Sequence, residues 1–300
     1  MGIVLGSAVV GLLVGLTGAG GGALMTPMLI LLFSVKPSAA ISSDLVAAVV
    51  MRPVGAAVHL RRGTVNLRLV GWMMLGSMPA AFFGAWLLRE IHSAADVETA
   101  LGAALLAGAA AMVLRALLDR RSGPRTEEVR QVSVRPLPTV LIGIVGGLIV
   151  GMTSVGSGSL MIVLLLFAYP LLPAKQLVGT DLTQAVPLTA AAALGALTFG
   201  HVEFGVTTSI IIGSVPAVLI GSLLSSRAPD RFIRPVITFV IFMSGLKYAG
   251  TGTTALGVVM AVVLAGAAGY WVFRALARGG KEQPDPAPQT TFATVADRGS

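Results

Sequence analysis

The chain has 300 residues, of which 55% are hydrophobic and only 11% are charged, and its mean hydropathy is +0.88. This composition excludes a water-soluble protein, and continuous apolar runs over most of the chain argue against both a single membrane anchor and a β-barrel. The net charge of +8 lies mainly in short loops between the apolar runs. The positive-inside rule therefore explains it better than nucleic-acid binding does.

Apolar segments follow one another along the chain, and the first and fifth are too long for one span. At about 1.5 Å per residue each would measure roughly 45 to 50 Å, against a hydrocarbon core of about 30 Å. Each also has small residues at its middle, Thr17–Gly22 and Thr153–Ser159. Each is therefore predicted to form two half-helices around a turn. The segments are Gly2–Phe33, Leu45–Leu60, Leu69–Leu88, Val97–Leu118, Leu137–Tyr169, Leu182–Phe199, Gly205–Leu224, Pro235–Ala249 and Thr254–Phe273.

These two small-residue clusters belong to an internal repeat. Val14–Thr17 matches Val150–Thr153 at an offset of 136, and Ser43–Leu45 matches Thr180–Leu182 at an offset of 137. The predicted fold is therefore all-α, a polytopic transmembrane bundle of two repeats with broken helices. The predicted parts are 1–118 for repeat 1, 119–136 for a cytoplasmic linker, 137–250 for repeat 2, 251–273 for an additional helix and 274–300 for a disordered cytoplasmic tail.

The basic loops predict how the two repeats are oriented. If each long segment crosses the membrane once, the repeats run parallel and both Arg227–Arg234 and Arg274–Lys281 fall outside. If each is a hairpin, every basic cluster falls inside and the second repeat is inverted. The hairpin arrangement is therefore predicted, with the amino terminus outside and the carboxyl terminus inside. No charge precedes Lys36, so a cleaved signal peptide is not predicted there.

Matching helix breaks in two inverted repeats are typical of the binding site of a secondary transporter. Half-helix amino termini present free N–H groups and a positive dipole end, so the two breaks predict cradles for an anion. The alternative is that the small residues only allow close helix packing. The candidate substrate-binding residues of the breaks are Thr17, Gly18, Gly20, Gly21, Gly22, Thr153, Ser154, Gly156, Ser157 and Gly158.

A hydroxyl and a carboxylate stand before an apolar run in both repeats, as Ser43-Asp44 and Thr180-Asp181. Such pairs are typical helix N-caps. The functional alternative is that both carboxylates face the interior and shape or couple the site, with Gln184 one turn further on. An ionised carboxylate repels an anion, so each is more plausible as a proton carrier than as a ligand.

Arg52 is a cation deep inside an apolar run, and Pro53 follows it. It is predicted to bind the anionic substrate, because a charge in the membrane needs a counter-ion. Pairing with Asp44, two helical turns away, and snorkelling to the interface are the alternatives. The matching position in repeat 2 is Thr189.

Enzyme chemistry has little support in the sequence. Gly156-Ser157-Gly158 with His201 could pass for a nucleophile and its base, but the partner of Ser157 in the repeat is Gly21, so the pattern belongs to the helix break. Cys is absent, which excludes disulfides and thiolate chemistry. Neither a cofactor nor a metal is predicted.

The chain resembles the TauE/SafE sulfite-exporter family of bacterial membrane proteins over about Gly2–Gly250. The resemblance rests on Gly15–Gly22 with Ser43–Leu45, and on their repeats Gly151–Gly158 and Thr180–Leu182. It implies export of sulfite, or of a small organosulfonate such as sulfoacetate, across the cytoplasmic (inner) membrane.

The expected partners are a small anionic substrate and the lipid bilayer, without nucleic acid. An anion-selective channel and an uptake permease are the alternatives that use the same architecture. The sequence leaves open the anion, the transport direction, the coupling ion and the oligomeric state, a homo-oligomer included.

Overall fold

A computed structural model describes residues 1–17, 21–91, 93–121, 133–224, 230–252 and 254–262 of the chain, without the side chains of 17, 119–121, 174–175 and 230–234. This backbone is largely helical. The helices are α1 (Gly2–Thr17), α2 (Gly22–Phe33), α3 (Pro37–Arg61), α4 (Leu67–Glu90), α5 (Ala94–Arg121), α6 (Pro136–Thr153), α7 (Leu160–Ala168), α8 (Ala174–Phe199), α9 (Phe204–Leu224) and α10 (Asp230–Tyr248).

Six helices in the described part of the chain are long and apolar enough to cross a membrane, namely α3, α4, α5, α6, α8 and α9. Large apolar side chains point outward from the bundle, among them Leu31, Phe83, Leu194 and Leu223. A contiguous apolar exterior of this kind suits a lipid environment rather than water. The prediction of an all-α, polytopic membrane bundle is confirmed.

Both predicted helix breaks are present in the structure. The first lies between α1, which ends at Thr17, and α2, which begins at Gly22. The second lies between α6, which ends at Thr153, and α7, which begins at Leu160. In the second break Gly156 and Gly158 adopt φ values of 120° and 87°, a region that side chains rarely enter, so glycine is needed there for the turn.

Equivalent helices of the two repeats make equivalent contacts. Helix α1 packs against α9 and α6 packs against α4, in each case through glycine. A side chain on Gly11 would strike Ser214, and one on Gly147 would strike Ser77. Gly147 and Ser214 are the repeat-2 equivalents of Gly11 and Ser77 at the offsets 136 and 137. The repeat seen in the sequence is thus also a repeat of helix contacts.

Helices α3 and α8 cross at the centre in opposite directions. The Ser43 hydroxyl accepts a hydrogen bond from the Glu203 backbone N–H at 3.1 Å, close to one end of the pair. Near the other end, the Thr180 hydroxyl accepts one from the Asn66 backbone N–H, also at 3.1 Å. We call these two hydrogen bonds the end clasps. Ser43 corresponds to Thr180 in the repeat, and Asn66 corresponds to Glu203.

The N-cap interpretation of the two hydroxyl–carboxylate pairs is wrong. Helix α3 begins at Pro37, whose fixed φ suits a first helical turn, and α8 begins directly after Pro173. Asp44 and Asp181 therefore lie well inside their helices. The apolar runs began later than the helices do, because the first turns of both helices carry polar residues.

The two predicted repeats fall within one compact unit, Met1–Gly252. The second unit is Thr253–Ser300, in which residues 254–262 are helical. Residues 122–132 of the predicted linker, 263–273 of the additional helix and the predicted tail, 274–300, lie outside the described residues. The predicted boundaries of these parts stay predictions.

Candidate functional site

The two helix breaks meet at the centre of the first unit. Gly22, the first residue of α2, touches Ser154, the residue that follows α6. A Cβ atom on Gly22 would overlap the Ser154 carbonyl group and approach its Oγ to 2.8 Å. The backbones of the two breaks are therefore in direct contact, and only a glycine fits at position 22.

Asp44 of α3 is hydrogen-bonded to both neighbouring elements. Its Oδ2 accepts hydrogen bonds from the Ser154 hydroxyl at 2.8 Å and from the Thr26 hydroxyl of α2 at 3.0 Å. The side chain is 2% exposed. Two donors of this kind offset part of the cost of burying a carboxylate. Asp44 thus ties α3 to α2 and to the second break.

Arg52 lies two turns further along α3 with a buried guanidinium group. Its Nη1 and Nη2 have no hydrogen-bond partner among the described residues. The negative charges of Asp44 and Asp181 both act on it electrostatically. The terminal nitrogens lie inside the protein, so Arg52 does not snorkel to a helix end. It makes no direct hydrogen-bonded ion pair with Asp44 either.

Asp181 of α8 is the second buried carboxylate, with 1% of its surface exposed. Neither Oδ1 nor Oδ2 has a hydrogen-bond partner in the described part of the chain. The Gly158 backbone N–H and the Gln184 amide lie near it without reaching hydrogen-bond geometry, and Arg52 and Arg115 act on it as positive charges. Asp44, Arg52 and Asp181 together form what we call the buried charge cluster.

Gln184 lies one turn after Asp181 and is fully buried. Its Oε1 accepts a hydrogen bond from the Ser77 hydroxyl of α4 at 3.2 Å. Its Nε2 has no partner within the described residues. This amide therefore has an unused donor next to the cluster.

The second break is buried, and its polar groups have different uses. Thr153 closes the end of α6, since its hydroxyl donates to the Ile149 carbonyl at 2.6 Å and accepts from the Val155 N–H at 3.2 Å. Ser157 is 4% exposed and lies between the two positive-φ glycines. Of the predicted binding residues here, Ser154 joins Asp44, whereas Thr153 serves its own helix.

The first break is described only in part. A Cβ atom on Gly21 would meet the side chains of Met51 and Val14 at ordinary distances, whereas one on Gly22 would overlap Ser154. Gly18, Gly20 and the side chain of Thr17, all predicted to bind substrate, lie outside the described residues.

Ser43 and Thr180 were expected at the buried charges, but the structure places them elsewhere. Both hydroxyls form the end clasps rather than joining the charge cluster. Thr26 and Ser77, whose hydroxyls donate to Asp44 and Gln184, were not predicted from the sequence. A signal for Ser77 was present, since it lies in the matched Gly-Ser-x-Pro-Ala sequences that begin at Gly76 and Gly213.

The requirements of a metal site and of a nucleophile–base pair can be compared with the described residues. Over the described residues, no group of three or more His, Asp or Glu side chains could hold a metal ion. Ser157 is buried, whereas His201 is exposed in the loop between α8 and α9.

Broken helices that meet around buried charges, within a bundle of membrane-spanning helices, define a multi-pass membrane transporter. The family model "Sulfite exporter TauE/SafE" matches residues 3–248 of this chain. The chain belongs to the TauE/SafE family. No solved structure matches it significantly.

Several curated bacterial proteins are similar to this chain. The "Probable membrane transporter protein YjnA" of Bacillus subtilis strain 168 is 38% identical over 250 residues, which cover 82% of this chain and 98% of that protein. The "Probable membrane transporter protein YdhB" of the same strain is 26% identical over 250 residues, or 81% of this chain and 98% of that protein. A "Probable membrane transporter protein" of Xylella fastidiosa is 29% identical over 230 residues, 75% of this chain and 85% of that protein. All three proteins are named as probable membrane transporters, in agreement with the class that the fold defines.

Proposed function

We propose that this protein exports a small anion, sulfite or a small organosulfonate such as sulfoacetate, across the cytoplasmic membrane by alternating access. The family description, which names a sulfite exporter, supports the substrate class. The two helix breaks that meet at Gly22 and Ser154 support a site between the halves.

The observation that carries this proposal is the unpartnered guanidinium group of Arg52. A charge inside a membrane costs about 2.5–3.5 kcal/mol even on the mildest scales, so a buried arginine without a hydrogen-bond partner is expensive. Its two terminal nitrogens are free to donate, and the fork of a guanidinium matches two oxygens of a sulfite or sulfonate group. The free Nε2 of Gln184 adds a further donor nearby.

An inverted arrangement of the two repeats is part of the same proposal. Helix α1 runs parallel to α9, since Gly213 lies against Val4 and Gly221 lies against Leu12. Helix α8 opposes α3, as the end clasps require. With short loops joining α3 to α4 and α8 to α9, equivalent helices point in opposite directions. Repeats related in this way can open alternately to the two sides.

The membrane orientation follows from the basic loops. Arg61, Arg62 and Arg68 lie at the junction of α3 and α4, whereas the equivalent loop at 200–203 has neither Lys nor Arg. The positive-inside rule places the basic loop in the cytoplasm and the amino terminus outside. Labelling of a tag at each terminus in intact cells and in inverted vesicles tests this. If both termini are labelled from the same side, the inverted arrangement fails.

Flux measurements in proteoliposomes test the transport function. Sulfite efflux through the parent protein should saturate with concentration, and Arg52→Gln should reduce it at least tenfold, because the guanidinium is lost. Arg68→Gln is the matched control, since Arg68 is exposed at the start of α4. If Arg52→Gln transports as well as the parent, or if the parent moves neither sulfite nor a sulfonate, the proposal is wrong.

The same proteoliposomes separate the alternative functions. Unitary currents in planar bilayers would indicate an anion-selective channel instead of a carrier. Flux that responds only to an inward gradient in cells would indicate an uptake permease. A carrier gives saturable flux without unitary currents.

A further inference from the structure

The buried charge cluster holds an excess of one negative charge. Arg52 contributes one positive charge, and Asp44 and Asp181, when both are ionised, contribute two negative ones. An anion bound to Arg52 would add further negative charge at a site where the low dielectric makes repulsion costly. Arg115 of α5 also acts on Asp181 as a positive charge, but it lies outside the cluster. Anion binding at Arg52 is therefore favoured when one carboxylate of the cluster loses its charge.

The two carboxylates differ in how well the protein stabilises their ionised form. Asp44 accepts hydrogen bonds from the hydroxyls of Thr26 and Ser154. Asp181 accepts none in the described part of the chain, although it is as deeply buried. Donors to a carboxylate favour its charged form, and burial without donors favours its neutral form. The structure therefore distinguishes two aspartates that the repeat makes equivalent.

We propose that anion binding at Arg52 is accompanied by the uptake of one proton at Asp181, while Asp44 stays ionised as a brace between α3, α2 and the second break. This inference rests on the proposed function. The proton comes from solvent hydronium: one of its O–H bonds breaks to leave water, and a new O–H bond forms at Oδ1 or Oδ2 of Asp181. Neutral Asp181 then presents an O–H donor instead of a second negative charge.

The groups around Asp181 are compatible with this role. Arg52 of α3 and Arg115 of α5 act on it as positive charges. The Gly158 N–H of the second break and the Gln184 amide of α8 lie near it, and Ser77 of α4 holds Gln184 from the other side. When an anion occupies Arg52, the positive charge of that side chain no longer stabilises ionised Asp181. Anion and proton therefore favour each other's binding, and the coupling is reciprocal.

Calorimetric titration of the purified, full-length protein with methanesulfonate tests the inference. This probe keeps its charge at every pH used, unlike sulfite, so any proton uptake comes from the protein. Titrations in two buffers with different ionisation enthalpies should give about one proton taken up per anion above the pH at which Asp181 ionises. Over that range the affinity should fall tenfold per pH unit.

The variants assign the proton to one residue. Asp181→Asn should bind methanesulfonate without proton uptake and with an affinity that does not change with pH, whereas Asp181→Glu should retain both. Asp44→Asn should keep the proton uptake and melt at a lower temperature. Thr26→Val, which removes only one donor from Asp44, should behave in the same way with a smaller loss of stability.

Each other result would overturn the inference. Methanesulfonate binding by the parent without proton uptake would do so and leave the proposed function intact. Uptake that persists in Asp181→Asn, or that vanishes in Asp44→Asn, would assign the proton elsewhere. If Asp181→Asn fails to fold, the Asp181 carboxylate has a structural role. The inference, which takes this carboxylate to have no structural partner in the described residues, would then be wrong. If the parent binds neither sulfite nor methanesulfonate, the proposed function fails, and this inference fails with it.

Discussion

The two repeats share their helix contacts but not their central chemistry. Glycine contacts between α1 and α9 recur between α6 and α4, and the end clasps recur at both ends of α3 and α8. At the centre, by contrast, Arg52 has Thr189 as its equivalent, and that hydroxyl donates to the carbonyls of Ala185 and Val186 in its own helix. The comparison indicates that helix packing follows the repeat in this fold, whereas the buried charged side chains do not.

The first prediction concerns the contact between the two helix breaks, where Gly22 meets Ser154. Gly22→Ala should separate the two breaks, because its Cβ would overlap the Ser154 backbone, which cannot move as a flexible side chain does. We expect a loss of about 1–3 kcal/mol of stability and a loss of at least tenfold in flux. Thermal melting and proteoliposome efflux measure the two effects.

Gly21→Ala is the matched control for this substitution. Its Cβ would meet only side-chain atoms, at 3.6 Å and 3.9 Å, and Gly21 has an ordinary helical backbone conformation. We expect nearly normal melting and flux. Equal damage from both substitutions would mean that the sensitivity comes from the glycine-rich segment in general rather than from the contact with Ser154.

The second prediction concerns Arg52, a cation whose equivalent in repeat 2 is the uncharged Thr189. Arg52→Gln should weaken anion binding by about 1.5–3 kcal/mol, the typical value of hydrogen bonds to a charged group. Thr189→Arg in the Arg52→Gln background should not restore it, because position 189 lies among different partners. Equilibrium binding of methanesulfonate measures both. Recovery of affinity in the double variant would show that the two halves are equivalent in binding as well as in packing.

The brace at Asp44 gives the third prediction. Ser154→Ala and Thr26→Val each remove one donor from a buried carboxylate, so each should cost about 1–3 kcal/mol of stability. Thr183→Val is the control, since among the described residues the Thr183 hydroxyl donates only to the Gly179 carbonyl of its own helix. Chemical denaturation in detergent measures the differences. The brace has no role if Thr183→Val destabilises the protein as much as the other two.

The end clasps give the smallest expected effect. Ser43→Ala and Thr180→Val each remove one neutral hydrogen bond that the hydroxyl accepts from a backbone N–H, worth about 0.5–1.5 kcal/mol, and Ser43→Ala also removes a longer bond of 3.5 Å to the Glu203 carbonyl. Because the clasps are equivalent, the two variants should melt at similar temperatures, a few degrees below the parent. A large difference between them would show that one end is held by other contacts.

Periodicity and repetition in the sequence predicted much of this fold. Long apolar runs indicated the bundle, and small residues in the middle of two of them located the breaks before Gly22 and after Thr153. The starts of α3 and α8 were missed, since their first turns include polar residues that end an apolar run without ending a helix. Hydropathy measures burial in lipid, and it does not detect a helical turn that is polar.

The sequence predicted the charged residues of the candidate site, together with Ser154 and Gln184, but not the contacts between them. Asp44, Arg52 and Asp181 stood out because charges in apolar runs are rare. Ser154 was predicted as a binding residue of the second break, but its hydrogen bond to Asp44 was not, because the two residues lie 110 positions apart along the chain. Spacing on one helix suggested a pair between Arg52 and Asp44, but a helical face does not determine how two side chains orient in three dimensions.

The equivalence of the end clasps has a consequence for the direction of transport. The same chemistry, a hydroxyl that accepts from a backbone N–H at 3.1 Å, holds α3 to α8 at both ends. Separation at either end therefore breaks a bond of the same kind, although Ser43 also donates a longer hydrogen bond of 3.5 Å to the Glu203 carbonyl. The main contact of the two clasps is the same on both sides. The net movement of the anion is then determined by the gradients across the membrane, and reversing those gradients should reverse the flow through the same protein.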